Sequence, residues 1–157
     1  MNEGEGLRID RLQRDILMPQ LESFLAAAPD AEARAPYLAV RAALDEYEIP
    51  PELTERVGAI AEVLLTTGRV RHLYGPGAEL SLWSLFQKTP RGRDIARSIE
   101  SANAALKRVA GQPLESISII ARGPAAYSLT LKTAELQMAV RFEPAGIRLE
   151  NLELGAG

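Results

Sequence analysis

The spacing of apolar residues changes once along this chain, and that change sets the fold class. Up to about residue 111, apolar side chains recur at intervals of three and four. From Leu114 onward they alternate with polar ones. The first spacing belongs to a helix with one buried stripe, the second to a strand with one buried face. Helices followed by a run of strands predict an α+β fold. Its N-terminal helical layer, four to five helices over about 8–111, packs on a C-terminal four-stranded antiparallel β-meander over about 114–154. With 157 residues, 46 % hydrophobic and 25 % charged, the chain reads as a single domain able to bury its own core.

In IDRLQRDILMPQLESFLAAA the helical stripe is Ile9, Leu12, Ile16, Leu17, Leu21, Phe24 and Leu25. Pro19 lies inside it. Proline removes an N–H and clashes with the preceding turn, so a kink or break is expected near Met18. A second helix is expected from Pro36, which suits a first helical position. Pro51 can open the third, which turns Leu53, Val57, Ile60, Ala61, Leu64 and Leu65 inward and ends at Gly68. In RDIARSIESANAALKRVAGQ, residues Ile95, Ile99, Ala102, Leu106 and Val109 form a narrow seam closed by Gly111. Two heptads containing an Ala make a weak coiled coil, so this helix is expected to lie on the core or sheet. A homodimer seam is the alternative.

SISIIA, AYSLTLK, ELQMAVRFE and GIRLENLEL read as four strands, separated by turn residues at Arg122-Gly123-Pro124, Lys132-Thr133-Ala134 and Glu143-Pro144-Ala145-Gly146. Short connections make the sheet an antiparallel meander. Its core face is predicted to carry Tyr127, Leu129, Leu131, Leu136, Met138, Val140, Phe142, Ile147 and Leu149. Beyond Glu150 the alternation slips by one, and a bulge at Glu150–Asn151 would restore it.

Composition removes several kinds of chemistry. The chain has no Cys and one His, so no disulfide, thiol nucleophile, metal site or cofactor is expected. The N-terminus MNEGEGLRID lacks the basic and apolar regions of a signal peptide, and no apolar run is long enough to span a bilayer. A cytoplasmic protein without a membrane partner is expected. GPGAEL lacks the Lys-Ser/Thr of a phosphate loop and reads as a turn, a hinge where the helical half turns toward the sheet.

Charge is concentrated in one place. Residues 69–97 carry six basic and two acidic side chains, whereas residues 1–50 carry five and ten. The basic segment also holds His72 and Trp83, the only residues of their types. His72 has Tyr74 and Glu79 nearby but no spacing that marks a general base with its orienting partner. LSLWSLF, around Trp83, fits a helix or a strand. In TPRGRD, Thr89 can cap a helix that opens with Pro90. Arg91 and Arg93 then stand at the positive end of the helix dipole, an arrangement that costs about 0.3–1 kcal/mol each. Either they receive an anion or they pair with the acidic N-terminal helices, and the second is favoured. A nucleic-acid partner is disfavoured, because residues 52–66 expose Glu52, Glu55 and Glu62 against Arg56 alone.

The expected function is a non-enzymatic protein–protein binding or adaptor module within a larger cytoplasmic assembly. Its expected contact surface is Arg69, Arg71, His72, Tyr74, Trp83, Arg91 and Arg93, with the free edge of the meander as a second candidate. A protein partner is expected, including a second copy of the chain. The alternative is a nucleic-acid or phosphate-ligand binder that uses the same basic segment.

Overall fold

A computed structural model describes residues 6–144 and 146–154. Residues 1–5, part of the stretch read above for a targeting signal, and Ala145 of the expected last turn lie outside the described residues. Two compact units make up the chain, Met1–Arg93 and Asp94–Gly157.

In the first unit, β1 (Leu7–Arg8) precedes α1 (Arg11–Ala27) and α2 (Ala31–Asp45), and β2 (Glu48–Ile49) pairs back on β1 with Ile49 opposite Leu7. A 3-10 turn (Pro51–Leu53) leads into α3 (Thr54–Thr66), followed by α4 (Arg69–Tyr74) and α5 (Pro76–Phe86). Ile16, Leu17, Leu21, Val40, Leu44, Val57, Ile60, Leu82, Leu85 and Phe86 are buried in this unit.

A helix break at Pro19 and a helix start at Pro36 are both corrected here. The helix α1 runs unbroken through Pro19. Ile16, Leu17, Gln20 and Leu21 flank the proline and are all buried. Their packing outweighs the roughly 3 kcal/mol penalty of an interior proline. The second helix starts at Ala31 instead of Pro36, because the Asp30 carboxylate accepts the Ala33 N–H at 2.8 Å and fixes the start more than a turn earlier.

The Gly-Pro-Gly segment is also placed differently from expectation. Gly75 has φ +86° and separates α4 from α5, and Pro76 takes the first position of α5. It therefore turns one helix into the next instead of turning the helical half toward the sheet. LSLWSLF is helical, with Leu82, Leu85 and Phe86 buried and Trp83 at the edge.

Thr89 caps α6 (Pro90–Val109) as its sequence predicts. Its hydroxyl is buried, donates to the Phe86 carbonyl at 2.6 Å and accepts the Gly92 N–H at 3.3 Å. A Cβ on Gly92 would stand 2.0 Å from the Phe86 carbonyl oxygen, so only glycine permits this close turn from α5 into α6.

In the second unit, α6 lies on one face of a meander of β3 (Ser116–Gly123), β4 (Ala126–Lys132), β5 (Leu136–Glu143) and β6 (Gly146–Leu154), in the order β3-β4-β5-β6. The chain is thus α+β, with its helices in the N-terminal part and a C-terminal antiparallel sheet. Ala102 and Ala105 of α6 form a core with Leu131, Leu136, Met138 and Val140. Small side chains on the helix let it approach the sheet closely. Ile99 and Leu106, on the flank of this stripe, stay more than a third exposed. The predicted bulge is present: Ala139 pairs with Asn151 and Val140 with Leu149, which leaves Glu150 as the extra residue. Tyr127 and Phe142 depart from the predicted core. They pair with each other on the apolar face, but beyond the last buried residues, and both are exposed.

Candidate functional site

The partners of the basic segment draw its side chains to different helices. The Arg69 guanidinium donates to the Gln20 side chain on α1 at 3.2 Å. Gln20 is buried, so this bond satisfies a polar group that would otherwise be costly to bury. Arg71 lies 3.4 Å from Glu79 on α5. Arg91 reaches Glu62 at 2.5 Å and Glu55 at 3.6 Å, both on α3. Arg91 therefore takes the intramolecular option, although its carboxylates come from α3 and not from residues 1–50.

The rest of the set stays open. His72 is exposed and makes no side-chain hydrogen bond or ion pair among the described residues. Arg93 likewise has no ion pair among them. Tyr74 and Trp83 are partly exposed, and the Trp83 ring leans on Phe86 with centroids 5.6 Å apart. At the start of α6, two N–H groups that an anion would need are already used: Gly92 donates to the Thr89 hydroxyl and Arg93 to the Thr89 carbonyl.

A groove of about 490 Å³ opens between α1, α2 and α3, a feature that helical periodicity did not reveal. Phe24 and Tyr37 form its aromatic wall, and the Arg56 guanidinium sits 5.4 Å from the Tyr37 ring centre. Glu52 and Glu55 stand at its rim.

The more distinctive surface is β3, the first strand of the meander and therefore an edge. All eight of its residues are exposed. Ile117 lies opposite Leu131 and Ile119 opposite Leu129, so both isoleucines point to the face that α6 covers elsewhere. Four strands span about 15 Å between the outer two, whereas one helix is about 10–12 Å across with its side chains. The buried core is accordingly shared by α6 with β4 and β5, β6 packs against it through the partly buried Ile147, Leu149 and Leu152, and β3 lies outside it. Ile119 is 69 % exposed. Leaving an isoleucine in water this way forgoes about 1–2 kcal/mol of burial.

Protective features that usually blunt an edge come only at the end of this strand, where Arg122 sits at a register irregularity before Gly123. Between Ser116 and Ala121 there is no charge, no proline and no glycine. The opposite edge, β6, carries Arg148, Glu150 and Glu153 and the bulge at Glu150. The sequence pointed to a free edge of the meander. The side chains of β3 and β6 tell the two edges apart.

On the sheet face away from α6, the bulge brings Glu150 over the buried Ser128. The Ser128 hydroxyl donates to Glu150 at 2.8 Å and Arg141 donates to it at 3.2 Å. These bonds, the Ser128 hydroxyl foremost, hold the Glu150 carboxyl below its ordinary pKa. Arg141 Nε lies 2.6 Å from Glu143 without the alignment of a hydrogen bond.

No three His, Asp or Glu side chains gather into a possible metal site among the described residues. No helix among them is long and apolar enough to cross a membrane. No protein-family model matches this chain, and neither a curated protein nor a solved structure matches it.

Proposed function

We propose that this chain is a non-enzymatic protein-binding module, a subunit of a larger assembly, that accepts an extended uncharged segment as a fifth strand beside β3. The observation that carries this reading is the exposed, unpaired β3 edge, uncharged from Ser116 to Ala121, with Ile117 and Ile119 uncovered on the α6 face. Strand addition supplies what such an edge lacks: main-chain partners for its free N–H and C=O groups, and cover for alternate side chains. The absence of any side-chain partner for His72 among the described residues fits a binding role better than acid–base catalysis. The engagement of Arg69 with Gln20, and the pairing of Arg71 and Arg91 with carboxylates that offset their charge, weaken the phosphate or nucleic-acid alternative.

An eight-residue peptide alternating Val and Thr serves as the probe. Amide hydrogen exchange is followed residue by residue as the peptide is titrated in. Slower exchange confined to β3, and lost in the Ile117→Lys, Ile119→Lys double variant, is the expected outcome. Protection at α4 and α5 instead, or β3 amides that exchange freely both with and without the peptide, would overturn the reading.

A further inference from the structure

We infer that the strand added beside β3 is β3 of a second copy, related by a twofold axis through Ser118. This rests on the strand-addition reading above and names its occupant. A twofold axis that makes two strands antiparallel neighbours stands perpendicular to the sheet and keeps every side chain on its own face. Residues opposed across the pair must therefore have the same parity. About Ser118, Ile117 stands opposite Ile119 of the partner subunit, and the symmetry repeats that contact. The four isoleucines left uncovered by α6 then meet in two direct cross-strand pairs. About Ile119 instead, only one Ile–Ile contact forms, and each Ile117 faces an Ala.

Charge supports a second copy over a foreign strand. Residues 94–157 carry seven basic and seven acidic side chains, net zero, while residues 1–93 carry eleven and fourteen, net −3. Two sheet units can therefore approach without net repulsion. Within the regular part of the strand, Ser116 to Ala121, there is no charge to be opposed, and Arg122, the one charge in β3, lies at its irregular end.

Closure supports it as well. Joining β3 to β6 of another copy would leave a free β3 at one end and a free β6 at the other, and so propagate into a chain of copies. It would also set the uncharged strand against Arg148, Glu150 and Glu153 and a bulge. Pairing β3 with β3 uses the unblunted edge of both copies and ends at two, an eight-stranded sheet with β6 at both outer edges.

Light scattering of the full chain and its variants tests this. The wild-type chain is expected at twice 17.1 kDa. The Ile117→Lys, Ile119→Lys double variant opposes like charges twice and is expected at 17.1 kDa. The Ile117→Lys, Ile119→Glu variant opposes unlike charges twice about Ser118 and is expected to regain the doubled mass, with the gain lost in high salt. Both substitutions fall on exposed positions, and far-UV circular dichroism confirms that each variant folds. A doubled mass that survives the double-Lys variant overturns the inference, as does a charge-swapped variant that stays single. If the wild type is a monomer throughout while the Val/Thr peptide still protects β3, the second copy is excluded and strand addition stands. If the peptide also fails, both readings fall.

Discussion

Ile117 and Leu131 stand directly opposite each other in the β3–β4 register and point to the same face of the sheet, yet Leu131 is 7 % exposed and Ile117 61 %. The difference comes from the width of one helix set against four strands. It separates the part of the sheet that holds the fold together from the part left for a partner.

The pair makes a direct comparison. Leu131→Ala should cost about 2–5 kcal/mol, because it removes buried methyl groups and leaves a cavity beside Met138. Ile117→Ala should stay within about 0.5 kcal/mol in the monomer, as ordinary surface changes do. Urea unfolding at protein concentrations low enough to keep the chain monomeric measures both. Equal costs would mean that β3 is covered in solution.

Arg91 bridges to α3 through Glu62 and Glu55 from a side chain that is itself substantially exposed. Solvent and salt screen such pairs, so Arg91→Ala should cost no more than about 1 kcal/mol, and less at high salt. Adding Glu62→Gln should cost little further, since the two changes remove one interaction. Because carboxylates offset the Arg91 charge and the Gly92 and Arg93 N–H groups donate to Thr89, millimolar phosphate should leave the Gly92 and Arg93 amide shifts unmoved. A saturable shift there would restore the anion-binding alternative.

Glu150 supplies a pH dependence whose sign follows from its bonds. The Ser128 hydroxyl and Arg141 hold its folded pKa below the ordinary 4.5 against the opposing effect of desolvation. Its ionised form therefore favours the folded state. That contribution is complete above the ordinary value of 4.5 and is lost as pH falls through the lower folded value. Ser128→Ala should raise the Glu150 pKa toward 4.5 in a carboxyl NMR titration and flatten the acid end of the stability curve. An unshifted Glu150 in the wild-type chain would contradict this account.

Much of the architecture was legible because it depends on local periodicity. The change of spacing at Leu114 marks the passage from helices to sheet. The slipped alternation after Glu150 locates the bulge to the residue. Thr89 and Pro90 mark the start of α6, since capping and a preset φ act within a single turn. The break expected at Pro19 and the start expected at Pro36 are overturned for different reasons. The penalty at Pro19 is set against burial by residues whose partners lie elsewhere in the fold, while Asp30, a local cap, starts the second helix ahead of Pro36.

The candidate site divides along the same line. The sequence alone determined that the meander has a free edge and that the basic residues cluster in one segment. Only the tertiary structure decided that Arg91 is already bound to α3, and that α6 covers three strands and leaves Ile117 and Ile119 in water. Alternation assigns a side chain to a face through the geometry of its own strand. Whether that face is covered depends on the size and placement of another element, and neither is encoded within the strand.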